Sequence, residues 1–206
     1  MSTLHPSLLT VLATTLAEVD PELSAHSQRV AAACGTILRT LEVDPLTAAR
    51  VLSSARLHDL GKLALPPGLL DKPGSLTPAE RALMETHPAR GADCLARVPA
   101  YRSKADIILH HHERWDGDGY PARLAGPAIP FGARVIAVAD TWDALTHARP
   151  YRPAGTVAAA CAILIAGSGT QWDPTLVDIW LHCVAEAGRN LSARANARAA
   201  NELRAA

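Results

Sequence analysis

The sequence predicts an all-α fold, built as a single domain, on three observations. An aspartate or threonine followed by proline recurs where helices should start, which pairs an N-cap side chain with a proline in the first turn. These pairs are Asp20-Pro21, Asp44-Pro45, Thr77-Pro78 and Asp173-Pro174. Alanine is abundant while only 4% of residues are aromatic, a composition that favours close packing of helices. No segment shows the period-2 alternation of a half-buried strand.

These start signals and the apolar periodicity predict nine helices. Thr77 begins one of the clearest, because Glu80 three residues later completes a capping box. Pro88 disrupts that helix and separates it from the next. In chain order, the helices are predicted at about 6–18, 21–41, 45–59, 77–86, 88–96, 101–112, 131–147, 154–166 and 174–188.

The 206 residues are enough for one sizeable core. We expect one domain over residues 1–190, followed by a helix-prone, alanine-rich tail over residues 191–206. Two loops rich in glycine and proline, 61–74 and 115–130, interrupt the helical pattern. Loops of this length in a compact domain usually carry function.

Composition excludes several classes of protein. Lys+Arg and Asp+Glu are both 20, so bulk electrostatics give no reason to expect binding to DNA. The four cysteines are far apart and form no C-x-x-C pair, which indicates a reducing compartment. The sequence shows no signal-peptide pattern and no run of about 18 apolar residues. We therefore expect a cytoplasmic protein without a membrane span.

The chemistry is expected to centre on His58-Asp59. Asp59 continues the inward stripe of Leu52 and Ala55, so its carboxylate should emerge from the core where Gly61 ends the predicted helix. The pair supplies one neutral nitrogen and one anionic carboxylate, and a carboxylate can bridge two divalent metals. Lys62 is placed to meet an anion that such metals hold.

The same pattern recurs on four other predicted helices, each of which ends or bends an apolar face with a side chain able to bind metal. A lone histidine on such a face is usually a core residue, but burying many unpartnered polar groups would cost roughly 1–3 kcal/mol each. A shared metal cluster removes that cost. The further candidates are His26, which lies four residues after Glu22, and His87, His111, His112 and Asp140.

These residues resemble a known family. The run His58-Asp59-Leu60-Gly61-Lys62 resembles the His-Asp-x-Gly-Lys signature of the HD hydrolase superfamily. The stretch HHERWDGDGYP, residues 111–121, is similar to the segment that defines the HD-GYP subfamily of bacterial cyclic di-GMP phosphodiesterases. Further similar motifs bring the resemblance to about residues 8–185. Trp172 replaces the usual phenylalanine and His147-Ala148 a commoner Ser-Asp, and neither change touches a predicted ligand.

The resemblance implies a helical metal-dependent phosphodiesterase with two or three divalent ions among its central helices. It implies hydrolysis of cyclic di-GMP to pGpG, GMP or both through a metal-bridging hydroxide, with Asp59 and Lys62 as the catalytic residues. Lys62, Arg149 and Arg152 match residues near the substrate phosphates. The metal ligands it implies are Glu22, for a third ion, and His26, His58, Asp59, His87, His111, His112 and Asp140.

Several alternatives stay open at this stage. Iron or manganese is implied by the resemblance, whereas the ligand types alone also suit zinc or nickel. The substrate could be another cyclic dinucleotide or a nucleotide phosphate, or the chain could be a receptor or adaptor that binds cyclic di-GMP without cutting it. The loop around Gly119-Tyr120-Pro121, called the GYP loop, either docks a signalling partner through Tyr120 or simply packs beside the site. Whether the chain forms a homodimer also stays open.

Overall fold

The computed structural model describes residues 8–66, 68–70, 72–148 and 153–205. Apart from one isolated bridge between Ser168 and Trp172, these residues contain no β-structure, which confirms the all-α prediction. Short 3₁₀ turns cover Leu60–Ala64, Pro99–Tyr101 and Gly126–Ala128. The α-helices are α1 (Leu8–Val19), α2 (Pro21–Thr40), α3 (Pro45–Ala55), α4 (Pro78–Met84), α5 (His87–Ala96), α6 (Arg102–Leu109), α7 (Phe131–Thr146), α8 (Val157–Gly167) and α9 (Pro174–Ala205).

The predicted helix starts are confirmed by their caps. The Asp20 carboxylate accepts a hydrogen bond from Leu23 N, and that of Asp44 accepts from the backbone at the start of α3. Thr77 and Glu80 form the complete capping box. Each cap satisfies backbone donors that a helix leaves unpaired in its first turn.

Two groups of buried apolar side chains hold the helices together. The larger core lies among α2, α3, α7 and α9 and includes Ile37 and Ile136, both with no exposed surface. The smaller core lies between α5 and α6 and includes Leu95 and Ile108. Leu57 belongs to this second core, so the two residues that follow it, His58 and Asp59, lie where the two cores meet.

Two predicted helices end earlier than expected, and histidine side chains give the reason. The helix predicted over 45–59 ends at Ala55, and the one predicted over 101–112 ends at Leu109. His58 Nδ1 donates to the Ala55 carbonyl at 2.8 Å, so this oxygen already has a donor one turn before the Asp59 amide. The pairs His58-Asp59 and His111-His112 therefore lie in turns just beyond the helices rather than within them.

The last helix is longer than predicted. The prediction ended it at 188, whereas α9 continues without a break to Ala205, as the alanine-rich sequence favours. The expected boundary near residue 190 therefore falls inside one helix. Among the helices of the described residues, none is both long and apolar enough to cross a membrane.

Candidate metal centre

Seven of the predicted ligands converge into two adjoining groups, in each of which the candidate donor atoms lie within 4.8 Å of one another. The turn after α3 supplies His58 and Asp59, and the other members come from α2, α5, α7 and the turn after α6. The first group is Asp59, His87, His111 and His112, and the second is His26, His58 and Asp140.

Asp59 lies between the two groups, with one carboxylate oxygen toward each. Its Oδ1 is 3.1 Å from His87 Nε2 and 4.0 Å from His111 Nε2. Its Oδ2 is 3.4 Å from His58 Nε2 and 3.6 Å from His26 Nε2. A carboxylate in this position can bind one cation through each oxygen, which is the arrangement of a bridging ligand.

The turn after α3 that carries His58, Asp59 and Gly61, called the HD turn below, approaches α5 closely at Gly61. A methyl group at this position would overlap the carbonyl oxygen of His87 and crowd the amide nitrogen of Gly91. Only a residue without a side chain permits this contact between backbones. The contact keeps His87 beside Asp59, and it explains the glycine that the sequence analysis interpreted as a helix end.

Three imidazoles are oriented by the helices that they follow. His58 Nδ1 donates to Ala55 O at 2.8 Å, His87 Nδ1 to Met84 O at 2.8 Å and His111 Nδ1 to Ile108 O at 2.6 Å. Each acceptor lies three residues before its histidine. Because Nδ1 carries the proton in each ring, Nε2 is left to face the site, as in a metal-binding histidine.

His26 is held differently, because it lies within α2 rather than after a helix. Its Nδ1 donates to Asp143 Oδ2 on α7 at 2.7 Å. Arg29 grips the same carboxylate with two hydrogen bonds, of 2.6 and 3.0 Å. His147 Nδ1 lies 3.0 Å from the other oxygen of Asp143. His26 Nε2 then points at Asp140 Oδ1, 3.2 Å away.

Burial keeps three of the imidazoles neutral near pH 7. It lowers the pKa of His58, and it lowers the pKa of His111 well below its ordinary value, an effect to which the neighbouring histidines add. It likewise lowers the pKa of His112 to about 4. Neutral imidazole is the form that binds a metal ion.

The pKa of His26 shifts in the opposite direction, upward. Burial disfavours its cation, but hydrogen bonds to Asp140 and Asp143 outweigh burial and raise the pKa of His26 to about 9. Burial also opposes ionisation of Asp140, yet its contact with His26 holds the pKa of this carboxyl far below its usual range. The second group is therefore a strongly coupled set of acid and imidazole.

Lys62 lies at the edge of the centre, with its ammonium 2.6 Å from Asp59 Oδ2. Burial disfavours the charged form of Asp59, but electrostatic interactions with His58 and Lys62 and a hydrogen bond with His87 hold its pKa well below the ordinary value. The Lys62 side chain is 21% exposed, so it can also meet a molecule that enters from solvent.

The GYP loop packs against the first group. The Tyr120 ring stacks on His112 with 5.0 Å between centroids, and Tyr120 N donates to His112 O. The buried Glu113 side chain accepts from Ala122 N at 2.7 Å and from Leu124 N at 3.1 Å. A side chain at Gly119 would overlap the Arg114 amide nitrogen. This packing favours the structural interpretation of the loop over docking of a partner.

The other predicted site residues are placed as follows. Glu22 is exposed on α2 and belongs to neither group. Arg149 and Arg152 lie outside the described residues. No role for Asp143, Arg29 or Glu113 was predicted from the sequence. Asp143 and Arg29 each lie three residues after a predicted ligand on the same helix, a spacing that could have indicated them.

The residues present fit divalent cations. Among the residues that the structure describes, His58 Nε2 has no hydrogen-bond partner, although Asp59 lies close. An unpaired buried nitrogen is costly unless something binds it. His58 Nε2 faces the same space as the nitrogens and oxygens of the second group. Imidazole nitrogen with carboxylate oxygen is a donor set that suits divalent transition metals.

Comparison with known proteins agrees with this geometry. The chain is 42% identical over 164 residues to a cyclic di-GMP phosphodiesterase response regulator of Xanthomonas campestris, a match covering 79% of this chain and 43% of the relative. It is 37% identical over 162 residues to a 3'3'-cGAMP-specific phosphodiesterase of Vibrio cholerae, covering 78% and 31%. The chain thus spans less than half the length of either relative.

The fold and the sequence place the chain in one family. Its structure resembles an HDG"Y"P protein from Bdellovibrio bacteriovorus with a TM-score of 0.65 at 23% identity, covering 81% of this chain and 53% of that one. At this identity the likeness concerns the fold alone. The family model described as HD domain matches residues 10–176. The chain therefore belongs to the HD-domain family, as one of its HD-GYP-type members.

Proposed function

We propose that the chain is a metal-dependent phosphodiesterase that hydrolyses cyclic di-GMP. The observation that carries this proposal is the position of Asp59, whose two oxygens face two separate groups of ligands. The relatives support the choice of substrate class, since they are named for cyclic dinucleotides. Attack of water in line with the leaving group would break the bond to the ribose 3′ oxygen and give linear pGpG, and a second cut would give GMP.

The two groups would hold two divalent ions with Asp59 between them. When bound, such a pair lowers the pKa of a water that it shares and polarises the oxygens of the phosphodiester. We propose iron or manganese for these positions, following the resemblance to HD-GYP enzymes. Glu22 would bind a third ion only if its side chain turned toward the site, because it is exposed on α2.

Lys62 would neutralise the charge that develops on the phosphate during attack. Its ammonium already lies within hydrogen-bonding distance of Asp59, so a phosphate bound at this edge would compete for the same donor. Arg149 and Arg152 are proposed to bind the substrate phosphates, from their resemblance to family motifs. Neutral His111 and His112 would keep their nitrogens available to an ion throughout.

Replacing Asp59 by alanine tests this function. Turnover of cyclic di-GMP should disappear, because the side chain shared by both groups is lost, while the helical circular dichroism should remain. Products would be resolved by chromatography in anaerobic buffer supplied with metal. Retained hydrolysis in Asp59→Ala would contradict the mechanism.

A second candidate substrate is 3'3'-cGAMP, because a relative at 37% identity is named as specific for it. A panel of cyclic di-GMP, 3'3'-cGAMP and cyclic di-AMP, compared by kcat/KM, separates the candidates. We expect cyclic di-GMP to give the highest value, and a clear preference for another member of the panel would reassign the substrate.

A receptor that binds cyclic di-GMP without cutting it is the non-enzymatic alternative. Such a chain has no need for a complete ligand set, whereas seven donors converge here. Calorimetry showing tight binding, with no product after hours in metal-replete anaerobic buffer, would favour the receptor.

We further propose a cytoplasmic location. A signalling partner at the GYP loop and a homodimer are weaker proposals, which crosslinking and light scattering would test.

A further inference from the structure

We propose that Asp143, held in place by Arg29, is a positioning residue that fixes the tautomer of His26 and thereby sets the metal affinity of the His26–His58–Asp140 group. This inference rests on the proposed metal centre and assigns a role to two residues outside it.

The need for such a residue follows from where His26 lies. The other oriented imidazoles use a main-chain carbonyl three residues earlier, at a helix end where that oxygen is free of the helical ladder. His26 is the sixth residue of the 20-residue α2, where carbonyl oxygens accept hydrogen bonds of the helix. A side chain must therefore receive its Nδ1 proton, and Asp143 on α7 does so.

Arg29 holds the Asp143 carboxylate in position with two hydrogen bonds. Its Nε donates to Asp143 Oδ1 at 2.6 Å and its Nη2 to Oδ2 at 3.0 Å. The hydrogen bonds from His26 and Arg29 all converge on this one carboxylate, as expected for its ionised form. An ionised carboxylate keeps the proton on Nδ1 and makes Nε2 a more basic ligand, and losing such partners typically weakens metal binding about 10- to 100-fold.

The chain contains a matched control, a second Arg–Asp pair whose arginine lies on α7. Arg134 Nη1 contacts Asp173 Oδ2 at 2.5 Å, and both Asp143 and Asp173 are buried. Asp173 accepts from Thr175 N, at the start of α9, and it belongs to neither ligand group. Asp173→Asn therefore reproduces the loss of a buried Arg–Asp pair without touching an imidazole of the centre.

The experiment titrates Mn²⁺ into ion-free parent protein, Asp143→Asn and Asp173→Asn, with circular dichroism and thermal unfolding of each. Arg29, His26 and His147 together contact both oxygens of Asp143. Asparagine has only one oxygen that can accept a hydrogen bond. We expect Asp143→Asn to weaken one of two Mn²⁺ sites about 10- to 100-fold and to leave the other unchanged. Asp173→Asn should bind both ions as the parent does, even if it melts earlier.

Arg29→Lys keeps the test decisive if Asp143→Asn does not fold. Arg29 is 38% exposed, so lysine is accommodated, but it cannot donate as a fork to both oxygens. A smaller weakening at the same single site is expected. If Asp143→Asn folds and binds Mn²⁺ at both sites with parent-like affinity, the role of Asp143 is overturned. If Asp143→Asn does not fold, parent-like affinity at both sites in Arg29→Lys overturns it. A parent that binds no Mn²⁺ would overturn the metal centre itself.

Discussion

The two candidate ligand groups differ in the sequence distance between an imidazole and the group that accepts its Nδ1 proton. His87 and His111, in the first group, donate to carbonyls three residues earlier. His26, in the second, donates to Asp143, 117 residues away. His58 links the two cases, since it belongs to the second group but has a local acceptor. Local supports form whenever the turn forms, whereas the support of His26 requires α2 and α7 to be packed.

The difference indicates which changes should damage which part of the centre. A substitution in the HD turn should affect both groups, because Asp59 lies between them with one oxygen toward each. A substitution in the GYP loop should reach only His112, whose ring is stacked on Tyr120. Changes of pH should distinguish His26 from the neutral imidazoles.

Gly61→Ala should have the largest effect. The added methyl group would overlap the His87 carbonyl, which is backbone and cannot rotate away, so the turn must move from α5. We expect a loss of about 1–3 kcal/mol in the free energy of unfolding. Displacing Asp59 from His87 should also lower kcat/KM by about 100-fold. Denaturant unfolding and steady-state kinetics measure the two effects.

Gly188→Ala is the matched control. Gly188 is exposed in α9, and an added Cβ would meet no atom of the described residues within 4 Å. Alanine there should be neutral or should stabilise the helix by up to about 1 kcal/mol. Parent-like activity and stability in Gly61→Ala would show that the close approach of the turn to α5 is unnecessary.

Glu113→Gln should have an intermediate effect, limited to the GYP loop. A glutamine oxygen can accept only part of what the carboxylate accepts from Ala122 N, Leu124 N and His110 Nδ1. We expect a loss of about 1–2 kcal/mol in the free energy of unfolding. A fall of about 10-fold in kcat/KM should accompany it as Tyr120 loosens from His112. Thermal unfolding and kinetics check both.

Glu80→Gln serves as the comparison for that variant. Glu80 also accepts a backbone hydrogen bond, from Thr77 N at 2.7 Å, but it caps α4 and belongs to neither ligand group. It should cost up to about 1 kcal/mol and leave kcat/KM unchanged. Equal activity losses in the two glutamine variants would argue against a specific role for Glu113.

The smallest expected effect is a difference between the two groups in the number of protons released when a metal ion binds. With a pKa of about 9, His26 carries a proton at pH 7.5 that a cation at Nε2 must displace. His112, with a pKa of about 4, is already neutral. Filling the second group should therefore release about one proton, and its affinity should rise about tenfold per pH unit between pH 6.5 and 8.5. Calorimetry in buffers of different ionisation enthalpy measures the release, and its absence would contradict the charge assigned to His26.

Local rules predicted much of this molecule from the sequence. Helix starts were predictable because an N-cap side chain acts within three residues, as at Thr77. The convergence of the candidate ligands was predictable because each polar side chain ends an apolar face, where burial without a partner would be costly. The end of α3 was not, because periodicity does not reveal that His58 donates its Nδ1 proton to Ala55 O.

Contacts between distant segments explain what the sequence could not predict. The hydrogen bond between Asp143 and His26 depends on the packing of α2 against α7. The role of Glu113 depends on the path of the loop that returns to it at Ala122 and Leu124. Glu22 shares a face of α2 with His26 by spacing, yet the structure leaves it exposed and outside both groups.

The number of ions that the chain binds tests the central claim most directly. Anaerobically prepared, ion-free protein would be titrated with Mn²⁺ and its bound metal counted by mass spectrometry after removal of free ion. Asp59 between two ligand groups predicts two tightly bound ions per parent chain, and weaker binding of both ions in Asp59→Ala. A parent chain that binds a single ion, or an Asp59→Ala variant that retains both with parent affinity, would contradict a bridging Asp59.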